Sequence, residues 1–166
     1  MEKGINLSLT KSLADFDALL IKAIEAVPSK KLSVTDELNE VASWEFQVGK
    51  YIEISSGDEE GGYDEEAFFW IGYGWEENEK RESILWLEFD AKTCPALIWE
   101  KVNSLVGTSG KYYSKADFEF AQIYMNAWVH FYLNEECLKQ FYDEKADPNK
   151  QKEILTGFVN EIMEKI

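Results

Sequence analysis

Apolar and polar side chains alternate over residues 44–54, and this pattern constrains the fold more than any other feature of the sequence. The even positions are apolar except at Lys50, and the odd positions are mostly polar. Because successive side chains of a β-strand point to opposite faces, the pattern predicts a strand with one buried face and one face in water. Lys50 is the residue that breaks the pattern.

Four further segments predict strands that pair as two antiparallel hairpins. Residues 67–75 are apolar at both odd and even positions, so we expect a central strand that is covered on both sides. A short polar connection joins this segment to a second strand at 83–89. Residues 118–124 and 127–133 form the other predicted hairpin, with its turn at Met125-Asn126.

Four segments predict helices. Apolar side chains spaced three and four residues apart form one helical stripe over Ser12–Val27. Thr93 is the predicted N-cap of a helix that ends at Val106, Asn134 caps a third helix, and Asp147-Pro148 begins the last one. The chain between the first helix and the first strand has no clear period, and a short helix after Thr35 is one interpretation.

Glycines occupy positions where regular structure is otherwise predicted. Gly72 and Gly74 interrupt the apolar strand at 67–75, which indicates a bulge or the close approach of another group. Gly157 lies inside the last helix, where glycine costs about 1 kcal/mol relative to alanine. We therefore expect close packing at Gly157.

Length and element types together predict the fold class. A chain of 166 residues is expected to form one domain, over residues 1–166. Hydrophobic residues make up 45% of the chain, which supports a core without a metal or disulfide. The predicted class is α+β, with an antiparallel sheet of four to five strands and helices packed mainly on one face.

Cysteine content and hydropathy predict a cytoplasmic protein. The two cysteines, Cys94 and Cys137, are too few for a disulfide framework. No stretch approaches about 18 apolar residues, so we expect no membrane span. The first residues lack the basic and apolar regions of a signal peptide. Reduced thiols in the cytoplasm are therefore expected.

Negative charge is concentrated in one stretch of the sequence. Residues 34–79 contain 14 Asp or Glu and one Lys, which gives them a charge of −13 out of the total of −15. Such a segment repels a phosphate backbone, so we expect no direct contact with nucleic acid. A basic protein surface is attracted, and its approach is accelerated.

The main functional prediction is an acidic module that binds a basic protein. One example is an immunity or inhibitor protein that occludes a nucleic-acid-acting enzyme, with carboxylates in the place of substrate phosphates and aromatic rings as anchors. A solubilising acidic rim around a large core is the structural alternative. The predicted contact residues are Asp58, Glu59, Glu60, Tyr63, Asp64, Glu65, Glu66, Trp75, Glu76 and Glu77.

Residues for catalysis or metal binding are sparse, so no catalytic residue, metal site or cofactor is predicted. The one histidine, His130, lies in a predicted strand on the same face as Trp128 and Tyr132, and its structural interpretation is a partly buried ring bonded to a backbone group. One histidine and two distant cysteines give no zinc-ligand pair at finger spacing. The acidic run from Asp58 to Glu66 does not follow the calcium-loop pattern.

The tripeptide Asp90-Ala91-Lys92, at the end of a predicted strand, supports an alternative function. An acid followed two residues later by a lysine resembles the second half of the PD-(D/E)XK metal-dependent nuclease signature. The Pro-Asp of the first half is missing, so Asp64 would have to supply its carboxylate from a loop. The resemblance implies a metal-dependent nuclease-like or degenerate nuclease domain, and a surface ion pair is the structural alternative.

Aromatic residues on the predicted sheet support a third function class, a small-ligand-binding or accessory domain. Trp70, Trp86 and Trp128 are candidates to line a pocket between the sheet and its helices. A cavity open to solvent at that position would favour this class.

Overall fold

The structure, a computed structural model, describes residues 2–35, 39–42, 46–55, 67–75, 83–141 and 147–166. Side chains are described in these ranges except at residues 2–13, 39–42, 46, 75 and 83. In chain order the elements are α1 (Glu2–Glu25), β1 (Lys31–Val34), β2 (Asn39–Ala42), β3 (Phe46–Ser55), β4 (Ala67–Trp75), β5 (Ser83–Asp90), α2 (Ala96–Ser104), β6 (Tyr113–Ala121), β7 (Asn126–Leu133), α3 (Glu135–Leu138), a 3₁₀ turn (Lys139–Phe141) and α4 (Pro148–Met163).

Within the described ranges, seven strands form one sheet in which every pair is antiparallel. The strand order is β1-β3-β4-β5-β7-β6, and the short strand β2 pairs with the half of β3 that β1 leaves unpaired. The predicted α+β class and antiparallel sheet are confirmed. The sheet exceeds the predicted four to five strands because β1 and β2, at four residues each, are too short to show a period.

Both predicted hairpins are present, with one change of boundaries. β4 and β5 pair in register from Trp70 opposite Glu88 to Trp75 opposite Ser83. The β6–β7 turn occupies residues 122–125, just before the predicted position, and β6 begins five residues earlier than predicted. A bulge interrupts the start of β6, which hides its alternating pattern in the sequence.

One face of the sheet and the helices share a single hydrophobic core. The strands contribute fully buried side chains in neighbouring positions, and the buried residues of α1, α2 and α4 belong to the same cluster. We call this side of the sheet the covered face. Large, fully buried members of this core include Tyr113, Leu20, Ile52, Phe69, Leu87, Phe89, Phe131, Leu155 and Phe158. The prediction that the helices pack mainly on one face is confirmed.

Capping side chains set two helix starts as the sequence predicts. Asn134 Oδ1 accepts a hydrogen bond from the backbone N–H of Cys137 at 2.8 Å, which caps α3. Asp147 Oδ1 accepts from the backbone N–H of Asn149 at 2.9 Å, with a proline in the first turn of α4. Among the described residues, no helix has both the length and the apolar character needed to cross a membrane.

One predicted helix start is wrong, and one helix interpretation is not supported by the described residues. α2 begins at Ala96 rather than directly after Thr93, because the Thr93 hydroxyl donates to the carbonyl of Asp90 in a turn. The interpretation of a short helix after Thr35 finds no support in the described residues. Residues 36–38 lie outside the described residues, and the chain on both sides of them forms strands β1 and β2, whose pairing with β3 overrides local propensity.

Lys50 breaks the apolar alternation of β3 and lies on the covered face, where it is buried. Its ammonium forms an ion pair with Asp17 of α1 at 2.8 Å. A buried charge is tolerated only with a partner, and this partner comes from a distant part of the chain. The aspartate side chain keeps 31% of its surface in contact with solvent. The pair therefore joins the helix layer to the sheet.

Candidate functional site

The second face of the sheet carries aromatic and ionisable side chains. In the described chain, the buried residues of the helices pack against the opposite face. Strand register places Tyr51, Trp70, Glu88, His130 and Asp117 in one straight row across five strands. We call this side the aromatic face. Its aromatic and ionisable members on β3 to β7 are Tyr51, Glu53, Phe68, Trp70, Trp86, Glu88, Asp90, Lys115, Asp117, Glu119, Trp128, His130 and Tyr132.

Two glycines make room for the indole of Trp70 on the aromatic face. Gly49 and Gly72 are paired across β3 and β4, and a Cβ at either position would collide with Trp70. The indole instead packs against Trp86, with ring centroids 4.9 Å apart and ring planes inclined by 43°. The prediction that Gly72 marks a close approach is confirmed. The sequence also predicts that β4 is covered on both faces, and on this face the two tryptophans supply part of that covering.

His130 lies between two carboxylates at the centre of the aromatic face. Its Nε2 donates a hydrogen bond to Glu88 Oε2 at 2.8 Å, and its Nδ1 lies 3.7 Å from Glu119 Oε2. The same Glu88 oxygen accepts a longer bond, at 3.4 Å, from the indole N–H of Trp86. The predicted strand face of His130 is correct, but its partner is a carboxylate rather than a backbone group. Glu88 therefore orients both the imidazole and one indole.

Asp90 and Lys92 stabilise the chain where β5 ends. Asp90 Oδ1 accepts hydrogen bonds from the backbone N–H of Lys92 at 2.7 Å and from Asn126 Nδ2 at 2.9 Å. The Lys92 ammonium donates to the carbonyl of Tyr124 at 2.9 Å. The two residues of the nuclease-like tripeptide thus hold a turn and the β6–β7 hairpin, while Asp64 lies outside the described residues. Within the described ranges, no group of three or more His, Cys, Asp or Glu side chains is arranged to hold a metal ion.

Negative charge dominates the aromatic face. Strands β5, β6 and β7 together carry four carboxylates and one lysine, Lys115, which forms an ion pair with Asp117. Burial raises the pKa of the Tyr51 phenol, and the charges of Glu88 and Asp90 raise it further. Tyr51 remains 41% exposed. A solvent-accessible aromatic ring therefore lies in a negative potential produced by neighbouring carboxylates.

The predicted partner contacts lie outside the described residues, apart from the backbone of Trp75 at the end of β4. The structure shows where their segments attach. Residues 56–66 enter β4 at Ala67, and residues 76–82 leave it at Trp75. These attachment points are separated by the length of the strand, about 26 Å at a rise of about 3.3 Å per residue. The residues concerned are Asp58, Glu59, Glu60, Tyr63, Asp64, Glu65, Glu66, Trp75, Glu76 and Glu77.

The three tryptophans that were candidates for a ligand pocket lie on the aromatic face. They are therefore on the side of the sheet opposite the helical core rather than between the sheet and its helices. Sequence reasoning missed Tyr51, Glu88 and Glu119 as neighbours on this face. The available signal was the period of two, because Glu88 follows Trp86 by two residues and Glu119 follows Asp117 by two.

Together the fold and this site define an α+β protein in which the described strands form one sheet, with one helix-covered face and one aromatic, acidic face. No protein-family model, curated protein or solved structure matches the chain. Its function therefore depends on the chemistry of the site rather than on a known relative.

Proposed function

We propose that the chain is a cytoplasmic binding module whose aromatic face docks a cationic segment of a basic protein, as an acidic immunity or inhibitor protein would. The observation that carries this proposal is the surroundings of Tyr51. Its ring is accessible to solvent, its position on β3 is directly opposite Trp70 on β4, and the charges of Glu88 and Asp90 are close enough to raise its pKa. Rings and carboxylates together recognise cations.

Arginine is the side chain that this combination suits best. Its guanidinium stacks on aromatic faces and donates two parallel hydrogen bonds to a carboxylate. A cation over an aromatic ring contributes about 0.5–1 kcal/mol at an exposed site. Trp70 and Trp86, which are nearly buried, form the floor of the face, whereas Tyr51 and Trp128 keep accessible surface. Glu119, with 62% of its side chain exposed, is placed to receive the partner.

The charge of the whole chain supports a basic partner. A net charge of −15 accelerates the approach of a cationic protein and repels nucleic acid. Most of this charge, −13, lies in residues 34–79, which include the segments on either side of β4. Cys94 and Cys137 are free thiols, which agrees with a reducing compartment such as the cytoplasm.

A titration with model peptides tests the proposal. The probe is an acetylated and amidated peptide of alternating Arg and Gly, its control carries Glu in place of Arg, and tryptophan emission reports binding. We expect the Arg peptide alone to bind, with an affinity that falls at least about tenfold between about 50 mM and about 300 mM salt, because salt screens exposed charges. No response to the Arg peptide at low salt would contradict the proposal.

Matched charge variants locate the binding face. The double variant Glu88→Gln/Glu119→Gln removes two carboxylates from the aromatic face, and the glutamine at position 88 keeps an acceptor for His130. We expect it to weaken binding by about tenfold. The control Glu135→Gln/Glu153→Gln removes two highly exposed charges from helices α3 and α4. If both double variants weaken peptide binding equally, binding depends on the overall charge of the chain rather than on this face.

A further inference from the structure

The turn of the β6–β7 hairpin exposes an unusual amount of apolar surface. Of the eight large hydrophobic residues that are exposed in the described part of the chain, five lie between residues 118 and 125. The most exposed of these residues are Ile123, Tyr124 and Met125 in the turn, at 85%, 66% and 71%. No Asp, Glu, Lys or Arg occurs from residue 120 to residue 131. We call residues 120–125 the hairpin tip.

Hydrogen bonds hold the hairpin tip in one conformation. Two turn bonds join Tyr124 N to the carbonyl of Ala121 and Met125 N to the carbonyl of Gln122. Lys92 holds the carbonyl of Tyr124 from the neighbouring turn. Met125 has a φ of 48°, in the left-handed region that favours glycine. A loop ordered in this way loses little conformational entropy when it binds.

Side chains rather than backbone groups are available for contact along β6. The strand lies at the edge of the sheet. The outward N–H and carbonyl of Ala116 are already bonded, to Thr108 O and Gly107 N respectively. The free edge beyond that point is short, which disfavours the addition of a strand from another chain. The hairpin tip therefore presents apolar side chains on an ordered support.

We propose that the hairpin tip inserts into an apolar pocket on the basic partner protein, an inference that rests on the proposed function. The net charge of the chain favours a basic protein as the molecule that the hairpin tip contacts. Two copies of a chain with a net charge of −15 repel each other, and so do this chain and an anionic lipid surface. Asp117 and Glu119 precede the tip on the same strand and belong to the aromatic face, so a cationic rim around the pocket meets carboxylates. Aliphatic and aromatic side chains at the tip anchor the complex and slow its dissociation.

Photo-crosslinking in the native cells identifies what the hairpin tip contacts. A benzoyl-phenylalanine replaces Tyr124 in the full chain, and a control carries it at Leu97, an exposed apolar position on α2. The captured protein is then purified and its affinity is measured for the wild type, for Ile123→Ser/Met125→Ser and for the control Leu97→Ser/Val106→Ser. All four substituted positions are exposed, so we expect every variant to fold, with circular dichroism and thermal unfolding as the check.

We expect one basic protein to crosslink at position 124 and not at position 97. Ile123→Ser/Met125→Ser should weaken binding at least tenfold at every salt concentration, while the control changes it less than twofold. Three results would overturn the proposed insertion. They are a crosslink to a second copy of the chain or to lipid, no crosslink above the control, and equal affinities of the two double variants. An acidic partner, or an affinity that does not change with salt, would instead contradict the proposed function. The apolar contact made by the hairpin tip would still be supported.

Discussion

The two faces of the sheet use aromatic side chains for different purposes. On the covered face, Phe69, Phe89 and Phe131 are fully buried against one another and against the helices. On the aromatic face, rings alternate with carboxylates and with the one histidine. The same strands therefore carry a core on one side and a chemically mixed surface on the other. Composition alone, with 14% aromatic residues, does not separate these two uses.

The ionic groups show the same difference between the faces. On the covered face, the described strands place one charged residue in the core, Lys50, and it is paired with Asp17. On the aromatic face, Glu88, Asp90 and Glu119 act on a histidine, an amide and a tyrosine. A group that serves only stability is paired and buried, whereas carboxylates that remain partly exposed keep the capacity to bind a partner.

Truncation of one ring on each face should give the largest difference in stability. Phe89→Ala removes a fully buried ring and is expected to lower the free energy of unfolding by about 3–5 kcal/mol. Tyr51→Ala removes a ring that is 41% exposed and should cost about 1 kcal/mol. Chemical denaturation measures both values. Equal losses would mean that the two faces do not differ in packing.

Addition of one methyl group on the aromatic face should give the next largest effect. A Cβ at position 72 would collide with the carbonyl of Val48 and crowd the backbone of Gly49, neither of which can move freely. Gly72→Ala is therefore expected to cost about 3 kcal/mol and to change the near-ultraviolet circular dichroism of the Trp70–Trp86 pair. The control Gly107→Ala, which has φ of 82° and no neighbour within 4 Å, should leave that spectrum unchanged. An unchanged spectrum for Gly72→Ala would contradict the close approach of Trp70.

Separation of the buried ion pair should have an intermediate effect. Lys50→Met leaves Asp17 without its partner, but the aspartate retains access to water, so we expect a loss of about 1–2 kcal/mol, below the range for fully buried pairs. The double variant Lys50→Met/Asp17→Leu should recover most of this loss, because two apolar side chains then pack at the same place. A double variant that is less stable than Lys50→Met would show that Asp17 contributes through another contact.

The smallest expected effect is the pH dependence that Tyr51 contributes. Burial and the nearby carboxylates raise its pKa above the ordinary value of 10.0, so the folded state binds the phenolic proton more tightly than the unfolded state does. This contribution to stability is complete below pH 10 and is lost as the pH rises through the raised pKa.

Unfolding free energies from about pH 9 to about pH 11 measure the contribution. Wild type should lose more stability over this range than Tyr51→Phe, and Glu88→Gln should lose an intermediate amount because it removes one of the two charges that act on the phenol. Glu153→Gln, which removes a distant charge, should follow the wild type. Identical slopes for wild type and Tyr51→Phe would contradict the raised pKa of the phenol, and identical slopes for wild type and Glu88→Gln would contradict the proximity of that carboxylate.

Local patterns in the sequence predicted most of the fold. The period of two identified β3, a run that is apolar on both faces identified β4, hairpin spacing identified β5 and β7, and the caps at Asn134 and Asp147 identified the last two helices. Strands β1 and β2 were missed because four residues show no period, and their stability comes from pairing with β3. The partner of Lys50 was missed because Asp17 meets it only in the folded chain.

The site was predicted less completely than the fold, for a physical reason. The sequence places His130 on a strand face, but the bond to Glu88 requires β7 to lie beside β5, and this order follows from the crossover through α2. The prediction favoured the dense acidic runs, where charge is visible locally. Dispersed carboxylates such as Glu88 and Glu119 become neighbours only through strand register.

The central claim is that the aromatic face receives a cation, and the indole N–H resonances of the chain test it most directly. NMR spectra recorded while the Arg-Gly peptide is added should show shifts for Trp86, which is bonded to Glu88, and for Trp128. Trp99, which packs against the helical core, should not shift. Shifts confined to residues 58–66 and 76–77, or a shift of Trp99 equal to that of Trp86, would contradict the account.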